Sequence, residues 1–291
     1  MAPSFCLTPA ALLLLSATLA AQAPLRVDVN LVLVPVTVTD HKGAVINGLD
    51  RSRFQVFEEG VPQVIASFSS EDLPASIGLV LDVSGSMRQK LGTAQSLVHA
   101  LFTGVDERDE SFLLTCADRP TAESDVGRLQ SAKSAGSTAL LDSIYQTIDR
   151  MRRARHTRQV LVILSDGQDN HSRRTKNELI SRAIESNAQI FAIGLREPPG
   201  PRKAIELADE NRGLALLSDL AQSTGGQYFQ VDFEDEVSAT AEKILLALHH
   251  QYVIGYYPTG SSRNGLRRIQ VMLDSPGLRL HGRSVYMAPT P

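Results

Sequence analysis

The chain has 291 residues, with 29 lysines and arginines against 32 aspartates and glutamates, so its formal net charge is −3. Hydrophobic residues make up 43% of it, which suffices for a buried core and excludes a disordered, collagen-like or coiled-coil chain. The near-neutral charge balance argues against a nucleic-acid-binding protein, because such proteins need a basic face. Two cysteines, Cys6 and Cys116, are too few for a disulfide scaffold or a thiolate zinc site.

An apolar run near the N-terminus extends from Ala10 to Ala21 and is followed by Gln22 and Ala23. About a dozen apolar residues are too few to span a bilayer, and the small-x-small ending suits signal-peptidase cleavage. We therefore expect a signal peptide over residues 1–23 and no transmembrane segment in the mature chain, which would be exported to the periplasm or the cell exterior. A buried N-terminal helix remains the alternative, because residues 1–10 contain no Lys or Arg.

Two β-rich flanks enclose the middle of the chain. Residues 24–74 contain β-branched, largely alternating stretches separated by turns, which predict strands over 27–40, 54–57 and 63–68. Residues 251–291 show the same pattern over 251–257, 267–273 and 278–287. Neither flank has enough strands for independent stability. The two flanks are therefore expected to pair into one antiparallel β-rich module, interrupted in sequence by residues 75–250.

Residues 75–250 alternate strand and helix patterns. Ile77–Leu81 and Val160–Leu164 are continuous apolar runs, typical of strands that are covered on both faces. Helical periodicity appears between the predicted strands, as over Ala139–Met151. This alternation predicts an α/β domain with a mostly parallel sheet. Residues 196–213 are Pro-rich and then charged, and we expect them to form a surface loop.

Three loops of this α/β segment carry oxygen-bearing side chains. Asp82, Ser84 and Ser86 follow the first apolar strand, Thr138 precedes a predicted helix, and Asp166 follows the second apolar strand. Ligands of open α/β sheets bind at the carboxyl ends of strands. Two carboxylates and three hydroxyls form an all-oxygen donor set, which favours Mg²⁺, with Mn²⁺ or Ca²⁺ as substitutes.

Each loop also has an ordinary alternative. The hydroxyls of Ser84, Ser86 and Thr138 are suited to capping helix N-termini, and Asp166-Gly167 is suited to a simple turn. Asp169 and Asn170 fit either the rim of a site or a solvated loop, and we favour the loop. Three such loops in the right order on the right elements favour a metal site over three unrelated caps.

With these loops, residues 75–250 resemble the von Willebrand factor type A domain and its metal ion-dependent adhesion site. The resemblance implies a Rossmann-like doubly wound fold and a Mg²⁺ bound by Ser84, Ser86 and Thr138, with Asp82 and Asp166 acting directly or through water. It also implies that a ligand carboxylate fills the open metal position. The flanks are similar to those of a secreted bacterial subgroup, common in acidobacteria, in the segments Val27–Val32, Phe54–Gly60 and Gly255–Pro258.

These features predict a non-enzymatic, metal-dependent binding module whose partner is a protein offering an Asp or Glu. A metal-assisted hydrolase or phosphotransferase is the alternative, since Mg²⁺ can polarise phosphoryl oxygens. Against it, the sequence has no Gly-x-Ser-x-Gly elbow, no Walker loop and no evident nucleophile–base pair. A metal that only stabilises the fold is a third possibility. For partner capture, Ser84 and Thr138 are expected at the surface.

Overall fold

The computed structural model describes residues 31–117, 121–123, 134, 136–196, 203–232, 237–259 and 265–288. The predicted signal peptide and the first residues of the predicted 27–40 strand lie outside these described residues. In chain order the strands and helices are β1 Val32–Thr39, β2 Phe54–Glu58, β3 Val61–Gln63, β4 Ile65–Ser69, β5 Ser76–Asp82, α1 Leu91–Gly104, β6 Glu110–Cys116, β7 Thr121–Glu123, α2 Leu140–Met151, β8 Gln159–Ser165, α3 Lys176–Ser186, β9 Gln189–Leu195, α4 Ala204–Thr224, β10 Tyr228–Val231, α5 Val237–His249, β11 Tyr252–Tyr256, β12 Gly265–Leu273, β13 Arg279–Gly282 and β14 Val285–Ala288.

The central sheet has the order β10-β9-β8-β5-β6-β7. Its strands are parallel except β7, which pairs with β6 in the antiparallel sense. Every residue of β5 and β9 is buried, as expected for strands covered on both faces. The expected α/β class with a doubly wound, mostly parallel sheet is therefore confirmed.

Helices cover both faces of this sheet. On one face α1 and α5 pack through residues such as Leu97 and Ile244, and on the other α2, α3 and α4 pack through residues such as Leu179 and Leu217. The hydrophobic stripe predicted along α2 is fully buried, because its members recur every three or four residues on one side of the helix: Leu140, Ile144, Ile148 and Met151.

The prediction of a surface loop over residues 196–213 is wrong for its second half. Helix α4 begins at Ala204 and runs without a break to Thr224. Its first turn is closed by the Glu206 carboxylate, which accepts a hydrogen bond from the Lys203 backbone N–H at 3.1 Å. Glu210 and Gly213 are already buried. The charged residues of this stretch lie in the first turns of an amphipathic helix. Residue composition alone does not distinguish such a helix from a polar loop.

Two four-stranded sheets each combine strands from both flanks. One sheet has the order β13-β1-β11-β4 and the other β14-β12-β2-β3, and their inner faces share one hydrophobic cluster. Aromatic rings join the two sheets, with the Phe54 centroid 5.1 Å from that of Tyr252. A β-rich module built from both flanks, expected from the sequence, is present.

Two predicted strands of this module are divided in the structure. The 63–68 stretch breaks at Val64, so that β3 pairs with β2 while β4 joins β11 in the other sheet. The 278–287 stretch breaks between β13 and β14, which also belong to different sheets. In both cases the chain passes from one sheet to the other, which residue patterning alone does not reveal.

The β-rich module contacts the α/β domain at the amino-terminal edge of the central sheet. The Gln251 amide donates to the Gln189 side chain at the start of β9, at 2.9 Å. At the same edge the Arg283 guanidinium donates to Asn187, at 2.6 Å. His249, at the end of α5, lies 3.1 Å from Asp72 in the segment that enters β5. The carboxyl ends of the parallel strands therefore lie at the opposite edge of the sheet.

Candidate metal-binding site

The three predicted loops meet at the switch point of the central sheet. Strand β5 lies between β6 and β8, and the chain leaves it towards β6 before returning on its other side to form β8. Connections that diverge in this way open a crevice at the carboxyl ends of the two strands. Asp82 is the last residue of β5 and Asp166 directly follows β8, so both carboxylates lie at this crevice.

The Asp82 carboxylate holds the first loop, which contains Ser84 and Ser86, through hydrogen bonds. One of its oxygens accepts a hydrogen bond from the Ser84 backbone N–H at 2.9 Å, and the other accepts from the Ser165 hydroxyl at 2.6 Å. The hydroxyl oxygens of Ser84 and Ser86 lie 3.1 Å apart. The hydroxyl oxygens of the two serines therefore lie side by side in the loop that follows Asp82.

The second loop, which contains Thr138, is hydrogen-bonded to both the first and the third loop. The Gly85 N–H donates to the Gly136 carbonyl at 3.1 Å, which ties the first loop to the second. The Thr138 N–H donates to the Asn170 side chain at 2.9 Å, and the Thr138 carbonyl accepts from the N–H groups of Asn170 and His171. Asn170, expected to be an ordinary solvated residue, therefore fastens the second loop to the third.

Asp166 is held by a lysine that the sequence did not single out. Its Oδ1 accepts from the Gln168 N–H at 3.1 Å, and its Oδ2 lies 2.6 Å from the Nζ of Lys90. The side chains of Lys90 and Asp166 are 3% and 0% exposed. A buried ammonium group therefore lies against one of the two predicted metal-ligating carboxylates.

The expectation that Ser84 and Thr138 lie at the surface is wrong, because both are buried, at 0% and 2% exposure. Packing of the three loops against one another covers both residues. The capping alternative is not seen for either side chain. Ser84 precedes a short 3-10 turn and Ala139 precedes α2, and neither position has a side-chain capping hydrogen bond. Asp166 accepts a hydrogen bond from the Gln168 N–H within its own loop, and its carboxylate is buried.

Burial dominates the electrostatics of this crevice. It raises the pKa of Asp82 from 3.8 to about 6, against the lowering effect of its hydrogen bonds to Ser165 and Ser84. The negative charge of Asp166 adds to the increase. Of the described groups, Asp82, Asp166 and Lys90 together carry one net negative charge, which a bound cation would neutralise. The donor set consists of carboxylate and hydroxyl oxygens, so its chemistry fits a hard divalent ion such as Mg²⁺.

No group of three or more His, Cys, Asp or Glu side chains with metal-binding geometry occurs in the part of the chain that the structure describes. The candidate site has only two carboxylates, so the three hydroxyls are essential to it. Within the same described residues, no helix has the length and apolar character needed to cross a membrane.

A cleft of about 620 Å³ adjoins the third loop. It lies between Gly167–Asn170 and the first half of α4, where Asp209 and Arg212 line it. The helix approaches the loop through two glycines: Gly167 has φ +76°, and a Cβ there would lie 2.1 Å from the Gly213 carbonyl oxygen. The segment predicted to be a loop therefore forms one wall beside the candidate site.

Sequence reasoning missed Lys90, Ser165 and the role of Asn170. Ser165 is adjacent to Asp166 at a strand end, so its position alone was a clue to its involvement. Lys90 precedes α1, and its burial could not be recognised from the local sequence, because a lysine at a helix start is usually solvated. Only the fold brings its ammonium group to a carboxylate 76 residues away.

The fold and the crevice define a doubly wound α/β domain with a predicted cation site at its switch point. The von Willebrand factor type A domain model matches residues 76–243. The chain belongs to this family, whose domains are commonly metal-dependent interaction modules that bind proteins.

Solved structures are similar to this chain at low sequence identity. A von Willebrand factor type A protein from Catenulispora acidiphila is 12% identical, covering 89% of this chain and 73% of that one, with a TM-score of 0.51. An aerotolerance-related membrane protein from Bacteroides fragilis is 19% identical, over 59% of this chain and 98% of its own, with a TM-score of 0.45. BatB from Bacteroides thetaiotaomicron is 18% identical, over 60% and 98%, with a TM-score of 0.43. No curated protein matches the chain.

The reactivity of the buried Cys116 thiol tests how tightly the residues around the crevice are packed. Cys116 is the last residue of β6, directly opposite Asp82 in the pairing with β5. Burial, followed by the charge of Asp82, raises the pKa of its thiol well above the usual value. Since the thiolate is the reactive form, we expect no alkylation of Cys116 by iodoacetamide at pH 8 in the native protein and complete alkylation in urea. Peptide mapping by mass spectrometry distinguishes Cys116 from Cys6, and rapid native labelling of Cys116 would contradict the closed packing.

Proposed function

We propose that this protein is an exported, Mg²⁺-dependent protein-binding module and not an enzyme. The ion would be held by Asp82, Ser84, Ser86, Thr138 and Asp166, with Mn²⁺ or Ca²⁺ as substitutes. When bound, it supplies an open coordination position that an Asp or Glu of a partner protein fills.

The observation that carries this proposal is the convergence of three separate loops on two buried carboxylates. Asp82 and Asp166 are both 0% exposed, and each is hydrogen-bonded within its own loop. Burial of two like charges is costly unless a cation compensates them. The paired hydroxyls of Ser84 and Ser86 provide further hard donors at the same place.

Charge supports an acidic ligand. Two aspartates neutralise a divalent ion, and Lys90 adds one further positive charge within 2.6 Å of Asp166. Counted over the ion, Asp82, Asp166 and Lys90 alone, the loaded site would carry one excess positive charge, which a partner carboxylate would neutralise. One carboxylate contact gives modest affinity because the group also loses its hydration.

Specificity would come from the rim of the crevice. A cleft of about 620 Å³ lies beside Gly167–Asn170, next to the proposed ion site. Asp209 and Arg212 on α4 and Asp169 on the third loop line it, so the rim carries charges of both signs. The described contacts of the β-rich module through Gln251 and Arg283 lie at the opposite edge of the sheet.

Export rests on the sequence of the first residues. The apolar run Ala10–Ala21 and the Ala21-Gln22-Ala23 ending favour a cleaved signal peptide and a periplasmic or extracellular protein. Amino-terminal sequencing of the protein recovered from its native envelope fraction or culture medium would check this. A mature chain that still begins at Met1 would contradict it.

The function is tested by partner capture from the native envelope with immobilised mature protein. We expect a partner to be retained in Mg²⁺, released by EDTA and recaptured when Mg²⁺ is restored. Ser84→Ala should lose the partner while keeping the fold, because the change removes one hydroxyl without altering the Ser84 N–H bond to Asp82. Ser181→Ala on the exposed surface of α3 is the matched control. Partner binding that is indifferent to EDTA and to Ser84→Ala would refute the mechanism.

A further inference from the structure

We propose that Lys90 is a positioning residue of the metal site. In this proposal its ammonium group holds Asp166 in place when no divalent ion is bound, and its charge limits the affinity for that ion. The proposal rests on the function proposed above and assigns this role to a residue outside the predicted ligand set.

Lys90 is fixed in place by both neighbouring elements. Its backbone N–H donates to the Met87 carbonyl at 2.9 Å, in the 3-10 turn that follows Ser84. Its own carbonyl accepts from the Ala94 N–H at 3.0 Å, in the first turn of α1. The long side chain therefore starts from a rigid backbone and runs inward to Asp166, with 3% of its surface exposed. Lysines are rarely buried to this extent, since removing an ammonium group from water is costly.

The ion pair places two cations in competition for one carboxylate. Oδ2 of Asp166 accepts from Lys90 at 2.6 Å, so a divalent ion that draws on Asp166, directly or through water, shares this carboxylate with the ammonium group. The two cations also repel each other across a poorly hydrated space, where charge interactions are stronger than in water. Removing the lysine charge should therefore tighten divalent-ion binding and, in the metal-free protein, leave Asp166 less well held.

If Lys90 had only a structural role, its removal would change the Mg²⁺ affinity in the opposite direction. If Lys90 only shaped the loops, its loss would disorder Asp166 and weaken the site. The direction of the change in affinity thus separates the two roles. Lys90→Met keeps most of the side-chain stem, and Lys90→Gln also keeps a hydrogen-bond donor. Lys176→Met is the matched control, because Lys176 is an exposed lysine at the same edge of the sheet and pairs with Asp219.

The experiment is calorimetric titration of the metal-free mature protein with MgCl₂, together with thermal unfolding in EDTA and in Mg²⁺. We expect Lys90→Met and Lys90→Gln to bind Mg²⁺ about tenfold or more tightly than the natural chain. In EDTA both variants should unfold at a lower temperature than the natural chain, and Mg²⁺ should reduce that difference. Lys176→Met should leave both measurements unchanged.

The outcomes separate this inference from the proposed function. Equal or weaker Mg²⁺ binding by folded Lys90 variants, with normal binding by the natural chain, overturns the inference alone. Binding by the variants but not by the natural chain supports the inference and overturns the proposed function. Absence of binding in all of them overturns both. If neither Lys90 variant folds, even in Mg²⁺, Lys90 is a structural residue and the inference is wrong.

Discussion

Arg267→Met is expected to lower the free energy of unfolding by about 3–5 kcal/mol, the range for breaking a buried ion pair on one side. Arg267 lies in β12 and Glu58 at the end of β2, and their side chains are 7% and 2% exposed. The guanidinium donates to Oε1 of Glu58. Without it, the Glu58 carboxylate would remain buried inside the β-rich module with no compensating positive charge.

The rest of this cluster depends on the same carboxylate. Oε2 of Glu58 accepts from the hydroxyls of Tyr256 at 2.7 Å and Tyr286 at 3.0 Å. Tyr256 belongs to β11 in the opposite sheet, so its hydrogen bond to Glu58 joins the two sheets of the β-rich module. Burial and the adjacent Glu58 raise the pKa of Tyr286 to about 12, which keeps its hydroxyl a donor at ordinary pH.

Urea unfolding followed by circular dichroism measures this loss of stability. Arg268→Met, the neighbouring exposed arginine, is the control and should change stability by less than about 0.5 kcal/mol. The double change Glu58→Gln with Arg267→Met should cost less than Arg267→Met alone, since it removes both charges and keeps an acceptor for the tyrosines. A small loss for Arg267→Met, comparable with that of Arg268→Met, would show that the ion pair contributes little.

Asp82→Asn is expected to weaken Mg²⁺ binding about 100-fold or more, equivalent to about 2.7 kcal/mol. The change removes one of the two carboxylate charges on which the proposed ion depends. It keeps the size of the side chain and one oxygen to accept the Ser84 N–H, so the fold should persist. Burial already opposes the charge on Asp82, as its raised pKa of about 6 indicates, so the metal-free variant should not be severely destabilised.

Calorimetry with MgCl₂ measures the affinity, and one binding site is expected in the natural chain. Asp209→Asn is the matched control, because Asp209 is an exposed aspartate on α4 that lines the neighbouring cleft and pairs with Arg212. It should leave Mg²⁺ affinity within about twofold, since exposed charges interact weakly through water. Full Mg²⁺ affinity in Asp82→Asn would move the binding site away from the three loops.

Much of the architecture was predictable, because strands that are buried on both faces have continuous apolar sequences. Ile77–Leu81 and Val160–Leu164 contain no polar residue, and both form central strands of the parallel sheet. Alternation with amphipathic helices then determined the α/β class. The predicted ligands Asp82 and Asp166 were recognisable because a polar residue directly after such a strand lies at the edge where ligands bind.

The start of α4 and the break between β3 and β4 were not recognisable from the local sequence. The first half of α4 is charged on its outer side, and only packing of Glu210 and Gly213 against the domain distinguishes it from a polar loop. The break at Val64 depends on β4 finding its partner in β11, far along the chain. Strand partners of this kind are chosen by long-range pairing and shared core contacts, which a local pattern of residues does not encode.

Local residue patterns were therefore sufficient to predict the fold class, the family and the oxygen-rich composition of the three loops. Which charges those loops share depends on three-dimensional packing. Lys90 and Asp166 are 76 residues apart, as Arg267 and Glu58 are 209 apart, and each pair exists only because the fold removes both partners from water at one place. The cost of burying a charge depends on what surrounds it in space, so no stretch of sequence, read alone, could reveal that Lys90 belongs to the candidate metal site.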